Sequence, residues 1–223
     1  MSDSQLLKSV AERDHPESER NQLSRFDWLE CALEIFVNEG IDAVRITRLS
    51  EALAVTRGSF YWHFKDRQDL VATLVSFWAE KNTPGLIRAI ETAKDLEQGI
   101  LGFFETTIDI EQFDARLDLA IREWARRETS IRKKLDREDS RRIDALSEFY
   151  KRCGFRKKEA LIRARVLYYS QIGFYALDVT ETLETRLSYT DTYFQCFTGK
   201  TLSKSTVNRF RNHIIKNYSE KLA

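Results

Sequence analysis

One stretch of nine residues combines basic, hydroxyl and aromatic side chains that could bind a partner: Thr56-Arg-Gly-Ser-Phe-Tyr-Trp-His-Phe64. Phe60 and Phe64 are four residues apart, so on a helix they share one face and would anchor the helix to a core. The remaining side chains of the stretch would then point to solvent, which is an unusual place for a Tyr-Trp-His triplet. Such an exposed set needs a binding partner to explain it.

Contact with a DNA duplex is the chemistry that suits this set. Arg57 can form two hydrogen bonds with guanine O6 and N7, and Gly58 has no side chain to keep the backbone from a base edge. Tyr61 and His63 can donate hydrogen bonds to phosphates, and a helix N-terminus offers free N–H groups to them. The alternative is that the aromatic residues belong to the core and that the charges form a solvated face.

The sequence around this stretch is locally basic, although the protein as a whole is nearly neutral. The chain has 36 Lys and Arg against 35 Asp and Glu, a net charge of +1. Residues 45–67, by contrast, contain five basic and two acidic side chains. Any attraction to nucleic acid must therefore come from this local patch and not from the total charge.

The sequence contains little that could support catalysis. It has three histidines, and its three cysteines, Cys31, Cys153 and Cys196, fit neither a disulfide framework nor a zinc site. A glycine-rich phosphate loop and a G-x-S-x-G motif are both missing from it. We expect no enzymatic activity, no cofactor and no metal, and we interpret the cysteines as reduced, packed thiols.

Composition predicts an all-α fold, because two prolines and eight glycines leave few places for the tight turns of a β-rich domain. The longest stretch without a charged residue, Val166–Leu177, has 12 residues, fewer than the roughly 20 needed to cross a bilayer. The N-terminus lacks the pattern of a secretory signal. We therefore expect a cytoplasmic protein without a membrane segment.

Short helices must position the basic stretch. Apolar residues at helical spacing between Phe26 and Phe36 predict a first helix, and Gly40 is expected to end it in a left-handed cap. Thr47 and Thr56 are expected to cap a second helix and a third, which would reach about residue 64. Two short helices joined by a tight turn and framed by longer ones form a helix-turn-helix arrangement.

The rest of the chain is predicted to consist of longer helices. Asp66 and Asp69 have the spacing of a carboxylate capping box for a fourth helix, and Thr83-Pro84 predicts a helix boundary near Asn82. Further helices are predicted over residues 96–112, 115–127, 130–153, 157–180, 183–198 and 203–219. We divide the chain into a flexible tail at residues 1–21, a helix-turn-helix domain at 22–70 and a helical domain at 71–223.

Three segments carry a resemblance to a known family: Gly40-Ile-Asp-Ala-Val-Arg-Ile-Thr47, Leu49-Ser-Glu-Ala-Leu-Ala-Val-Thr56 and Arg57-Gly-Ser-Phe-Tyr-Trp-His-Phe64. With Asp66–Leu70 they closely resemble the N-terminal domain of the TetR family of transcriptional regulators, over about a fifth of the chain. The remainder is similar only in being a helical domain of the usual length. The resemblance implies a homodimeric repressor that releases its palindromic DNA operator when a small-molecule inducer binds the C-terminal domain.

The resemblance also implies roles for individual residues. Expected phosphate contacts are Thr47, Tyr61, His63 and Arg67, expected base contacts are Arg57, Gly58 and Trp62, and Ser59 suits either role. Arg48 and Thr56 complete the predicted DNA-binding set. The chain departs from the family at Ala54, where glycine is frequent. A left-handed turn there would cost alanine on the order of 1 kcal/mol, unless the turn itself differs.

The C-terminal domain is expected to supply a dimer surface and a ligand pocket. The helix around Leu161–Val179 is apolar on two faces, so one face can meet a second subunit, although a wholly internal core is the alternative. The predicted dimer interface contains Ile162, Tyr169, Gly173, Ala176, Leu187, Phe194 and Phe197. The predicted ligand-binding residues are Trp78, Phe104, Thr107, Trp124, Tyr168 and Gln171. The charged stretch Arg122–Arg142 is interpreted as a solvated helix face.

The sequence is therefore compatible with two functions. The first is a DNA-binding repressor controlled by a small molecule. The second is a DNA-binding protein without an inducer, acting architecturally or through a protein partner, whose C-terminal domain would be packed solid.

Overall fold

The computed structural model describes residues 23–218 as a set of helices without a β-strand in that range, which confirms the predicted all-α fold. The predicted tail at residues 1–21 lies outside the described residues. Within them, twelve α-helices follow one another: α1 (Arg25–Glu39), α2 (Ile46–Ala52), α3 (Arg57–Phe60), α4 (Arg67–Asn82), α5 (Pro84–Glu91), α6 (Leu96–Ile108), α7 (Ala115–Ala125), α8 (Thr129–Arg152), α9 (Lys157–Ala176), α10 (Leu183–Ser188), α11 (Thr190–Thr198) and α12 (Lys204–Tyr218). A short 3₁₀ helix, Ile41–Ala43, joins α1 to α2.

The helices form two compact units. The first unit runs to Glu80 and also includes Arg116–Arg132, and the second contains Lys81–Ala115 and the chain from Lys133 onward. This division differs from the predicted boundary at residue 70, because most of α4 and all of α7 after its first residue belong with the N-terminal helices. Trp78 shows why: its buried indole nitrogen donates a hydrogen bond to Asp118 Oδ1 of α7 at 2.9 Å.

The first unit begins with a helix whose ends are specified locally. Ser24 caps α1 and forms a reciprocal capping box with Asp27. At the other end Gly40 has a φ of +83°, a backbone conformation that side chains with a Cβ rarely adopt. The predicted glycine terminus of the first helix is therefore confirmed, but the predicted left-handed cap is wrong, because the ψ of Gly40 is 173° and its backbone is not left-handed helical.

The next two helices differ from expectation in detail. The extended residue before α2 is Arg45, so Thr47 is the second residue of that helix and the prediction that it caps α2 is wrong. Thr56 does occupy the capping position of α3, although its side chain makes no capping hydrogen bond. Helix α3 contains only four residues, and a turn continues it so that Phe64 N–H still donates to Phe60 O at 3.0 Å.

Ala54, between α2 and α3, adopts the left-handed conformation that its position in the turn requires, with a φ of +55°. The turn is thus the left-handed one, and alanine pays a steric penalty there that glycine would not. We expect Ala54→Gly to raise the free energy of unfolding by about 0.5–1 kcal/mol, after the greater flexibility of glycine in the unfolded chain is allowed for. Urea denaturation of the two proteins measures this difference, and a destabilised variant would contradict it.

The second unit is built around an apolar cluster of α5, α6, α8, α9 and α11. Helices α6 and α8 approach so closely at Gly99 that a Cβ there would overlap the Phe149 ring. The predicted boundary at Thr83-Pro84 is confirmed. The predicted helix at 183–198 is instead two helices, α10 and α11, with Tyr189 between them.

Two charged side chains of α8 lie deep in the second unit. Arg142 is 1% exposed and Glu138 is 6% exposed, so the prediction that the whole stretch Arg122–Arg142 is solvated is wrong at both positions. The Arg142 guanidinium donates to Thr83 Oγ1 at 3.0 Å and to Tyr168 OH at 2.9 Å. The Tyr168 hydroxyl in turn donates to Asp139 Oδ1 at 2.6 Å, so this network ties the start of α5 to α8 and α9.

Among residues 23–218, no helix combines the length and the apolar character needed to cross a bilayer.

Candidate nucleic-acid interface

Two phenylalanines and their neighbours hold the stretch around α3 in place. Phe60 and Phe64 are both buried and their rings stack with centroids 5.5 Å apart. Trp28 of α1 meets Phe60 edge-on at 5.3 Å, and the Arg25 guanidinium lies 4.6 Å from the centre of the Phe64 ring. The anchoring role predicted for the two phenylalanines from their spacing is confirmed.

The opposite side of this stretch is open to solvent. Tyr61 is 59% exposed and Trp62 is 88% exposed. Arg57 and Gly58 are exposed as well, and Ser59 and His63 are partly so. We call these six residues, Arg57, Gly58, Ser59, Tyr61, Trp62 and His63, the reading face. The exposure of Tyr61 and Trp62 contradicts the alternative that these aromatic residues belong to the core.

The neighbouring predicted residues differ in accessibility. Thr56 and Arg48 are exposed and Thr47 is partly buried. Within residues 23–218 the His63 side chain makes no hydrogen bond or ion pair, so it does not cap a nearby carbonyl.

Gly58 has no evident reason within the protein to be glycine. Its φ lies outside the left-handed region, and a Cβ added to it would meet only Thr56 Oγ1, at an ordinary 3.6 Å. Because glycine destabilises a helix by roughly 0.5–1 kcal/mol relative to alanine, the fold by itself would favour alanine. A partner that approaches the backbone at this point would explain the glycine.

The five basic side chains of residues 45–67 are not equally available to a partner. Arg48 forms an ion pair with Glu39, and Arg45 Nε donates to Asp42 O at 2.9 Å. In the described part of the chain, the Arg57 and Lys65 side chains make neither an ion pair nor a hydrogen bond. Lys65 was not among the predicted contacts, although the local charge excess included it.

Arg67 has a structural task that its sequence position did not reveal. Its Nε donates to Val44 O at 2.6 Å and its Nη2 donates to Ile41 O at 2.7 Å. These bonds fasten the start of α4 to the segment before α2. They compete with the predicted contact between Arg67 and a phosphate. The sequence held no signal for this pairing, because the partners are backbone carbonyls more than 20 residues away.

We expect Arg67→Ala to lower the free energy of unfolding by about 1–3 kcal/mol, because two partly buried carbonyls lose a charged donor. Thermal unfolding measures this loss, and Arg45→Ala serves as the control since Arg45 is exposed and donates to a single carbonyl. If the two variants melted at the same temperature as the parent protein, the fastening role of Arg67 would be disproved.

A cavity of about 370 Å³ lies in the second unit. Three predicted ligand-binding residues, Phe104, Thr107 and Gln171, line it. The other three do not, which corrects the prediction for them: Trp78 is buried against α7, Trp124 meets Phe36 edge-on at 5.8 Å, and Tyr168 belongs to the Arg142 network. All six are aromatic or polar, but sequence alone could not separate core residues from cavity residues.

The predicted dimer residues also divide into two groups. Leu187, Phe194 and Phe197 are buried inside the chain, so they face its own core and not a second subunit. Their regular spacing correctly indicated a buried face, but it does not distinguish a face covered by the chain's own core from one covered by a second subunit. Phe194→Asp is therefore expected to unfold the chain and not merely to separate two subunits.

Helix α9, in contrast, presents apolar residues to solvent. Ile162 and Tyr169 are exposed, as predicted for an interface, and so is Ala176, whereas Gly173 is partly buried. Val166 lies between them on the same face and is exposed too, and its i+4 spacing from Ile162 could have revealed it. We call Ile162, Val166, Tyr169, Gly173 and Ala176 the α9 stripe.

The cysteines offer no sign of chemistry. All three are free thiols, and Cys196 is exposed, contrary to the expectation that all are packed. Burial is the main reason why the pKa of the Cys31 thiol rises to about 11, with nearby Glu34 and Glu30 adding to the effect. Within the described chain there is no group of three or more His, Cys, Asp or Glu side chains able to hold a metal ion.

Comparison with known proteins assigns the first unit. Residues 29–74 match the family model of bacterial regulatory proteins of the tetR family. The HTH-type transcriptional regulator AcrR of Shigella flexneri is 38% identical over 53 residues, which are 24% of this chain and 25% of that protein. TtgR, an HTH-type transcriptional regulator of Pseudomonas putida, is 30% identical over 79 residues, 35% of this chain and 37% of that protein. The matches thus span between a quarter and somewhat over a third of these relatives.

Solved structures extend the likeness of fold to most of the chain. The ketosteroid transcriptional regulator KstR2 of Mycobacterium tuberculosis aligns with a TM-score of 0.59 and 15% identity, covering 81% of this chain and 95% of that one. The fatty acid degradation regulator FadR of Bacillus halodurans aligns with a TM-score of 0.57 and 17% identity, covering 78% and 94%. At these identities the alignments establish the fold alone. The family match itself covers residues 29–74, where the chain contains the N-terminal domain of bacterial regulatory proteins of the tetR family.

Proposed function

We propose that this chain is a sequence-specific DNA-binding transcriptional regulator, acting as a homodimeric repressor that leaves a palindromic operator when a small molecule binds the second unit. The observation that carries this proposal is the reading face. It contains Trp62, which is nearly fully exposed, and Arg57, which is unpaired among the described residues. It also contains Gly58, which the fold does not require to be glycine.

Each member of the reading face suits a different part of a DNA groove. Arg57 is exposed and unpaired among the described residues, so its guanidinium is available to guanine O6 and N7. The Trp62 indole can contact thymine methyl groups, and Tyr61 can donate to a phosphate. Lys65, which is also unpaired in that range, adds a charge beside the face. We infer that Lys65 contacts the phosphate backbone.

The α9 stripe supports the proposal of a dimer. It is an exposed apolar row on a 20-residue helix, and contiguous apolar patches on soluble proteins commonly mark interfaces. The partly buried Gly173 lies within the stripe and would allow a second helix to approach closely. Two reading faces set about 34–36 Å apart by such a dimer could bind half-sites one DNA turn apart.

The cavity in the second unit favours control by a small molecule over the alternative of a regulator without an inducer. The alternative predicts a second unit that is packed solid, whereas a cavity of about 370 Å³ lies within the usual range for small-molecule sites. To weaken DNA binding a hundredfold, the ligand must favour the DNA-free state by about 2.7 kcal/mol.

Arg57→Ala tests whether the reading face recognises bases. We expect it to weaken binding to the specific operator by about 1–3 kcal/mol and to relax the preference at one base position in each half-site. Lys65→Ala serves as the control, since loss of a phosphate contact weakens binding to all sequences alike and lowers the salt dependence. Unchanged base preference in Arg57→Ala would show that another residue does the recognition.

Gly58→Ala separates binding from folding. The variant should fold at least as stably as the parent protein, because the added Cβ has room and alanine favours a helix. Its affinity for DNA should fall at least tenfold, because the Cβ would stand between the backbone and the base edges. Gly102→Ala is the matched control, since that glycine also has room for a Cβ but lies on α6. Full DNA affinity in Gly58→Ala would contradict the proposed docking.

A further inference from the structure

One wall of the cavity in the second unit carries a small group of hydrogen-bond donors. The Gln171 side-chain nitrogen is buried and has no hydrogen-bond partner among the described residues. Close to it, the Tyr175 hydroxyl donates to Thr107 O at 2.8 Å. The hydroxyl is therefore occupied, whereas the Gln171 amide has a donor to offer to whatever fills the cavity.

Arg186 adds a positive charge to the same wall. Its guanidinium carbon lies 4.6 Å from the centre of the Phe174 ring, and within residues 23–218 it forms no ion pair. Burial raises the pKa of the Tyr175 hydroxyl, and the charge of Arg186 together with hydrogen-bonding contacts to Thr107, Gln171 and Arg186 partly opposes this rise. Gln171 and Arg186 therefore both lie near Tyr175, so that they can act on one ligand group together.

Most of the remaining wall is apolar. Phe104, Leu167 and Leu187 line the cavity, as do Phe174 and Phe197. Glu181 also lines it, but its side chain is partly solvated, and among the described residues it forms no ion pair with Arg186. A ligand that suits this lining has an apolar body and one anionic end.

We propose that the cavity binds an amphiphilic carboxylate, whose carboxylate accepts hydrogen bonds from the Arg186 guanidinium and the Gln171 amide while its apolar body packs against Phe104 and Leu167. Arginine suits this task because its planar guanidinium can hold both oxygens of a carboxylate. The cavity is the one through which a small molecule is proposed to release DNA, so the regulatory effect of this ligand class rests on the proposed function.

The test is calorimetric titration of the full chain, without DNA, with three probes of equal chain length: decanoate, decanol and decylamine. We expect decanoate to bind at least tenfold more tightly than the other two, a difference of about 1.4 kcal/mol. Arg186→Gln and Gln171→Leu should remove this preference, and Arg186→Lys should restore part of it. Arg165→Gln, a change of an exposed arginine on α9, should leave it intact.

Three outcomes would overturn the inference: decylamine or decanol binding as tightly as decanoate, no binding of any probe, or a decanoate preference that survives in Arg186→Gln. Melting curves of the variants establish that each is folded. DNA binding is measured separately in the absence of any probe. The proposed ligand class and the proposed DNA-binding function can therefore each be disproved without the other. Decanoate that binds through Arg186 but does not release DNA would contradict inducible repression and leave the ligand class standing.

Discussion

Arg142→Ala is expected to lower the free energy of unfolding by about 3–5 kcal/mol, the typical cost of removing one partner from a buried charged network. The guanidinium is almost wholly shielded from water and bridges Thr83 of α5, Asp139 of α8 and Tyr168 of α9. Without it, the partly buried Asp139–Tyr168 pair loses a positive charge and a cavity remains where the side chain was. Chemical denaturation followed by circular dichroism measures the change.

Arg137→Ala is the matched control for this prediction. Arg137 is an exposed arginine of the same helix, and in the part of the chain that the structure describes its side chain makes no ion pair or hydrogen bond. Substitutions at such surface positions usually change stability by about 0.5 kcal/mol or less, so this variant should unfold close to the parent protein. Equal effects of the two substitutions would mean that the Arg142 network does not stabilise the second unit.

Tyr169→Glu is expected to convert the proposed dimer into a monomer and to weaken operator binding by a factor of about 10²–10⁴. Tyr169 is 54% exposed in the single chain, so the substitution should not disturb the fold. Burying a carboxylate in an apolar interface without a partner is costly, and the monomer would lose the gain from binding two half-sites at once. Sedimentation equilibrium and a DNA titration measure the two effects.

Ile215→Glu on α12 provides the control, because Ile215 is also an exposed large apolar residue but is not part of the α9 stripe. It should remain dimeric and bind DNA normally. A dimeric Tyr169→Glu variant would place the interface elsewhere on the chain.

The parts of this protein that sequence could predict depend on contacts between residues close in the chain. The spacing of Phe60 and Phe64 determines which side of the stretch is buried, so the exposure of Trp62 followed from it. Gly40 and Thr83-Pro84 likewise end helices through their own backbone preferences.

The parts that sequence could not predict depend on distant partners. Arg67 looks like a phosphate contact until Ile41 and Val44 are brought beside it, and Arg142 looks solvated until Thr83 and Tyr168 enclose it. The spacing of Phe194 and Phe197 predicted a buried face, but the same pattern suits an internal core and a subunit interface equally well.

Recognition of a specific DNA sequence by the reading face is the central claim, and selection from a pool of random duplexes by the purified protein tests it most directly. If the reading face recognises bases, the selected pool converges on an inverted repeat with guanine at a fixed position in each half-site. The centres of the half-sites are expected to be separated by about 10–10.5 base pairs or a multiple of that distance. A pool that remained random after repeated rounds, despite binding, would contradict sequence-specific recognition.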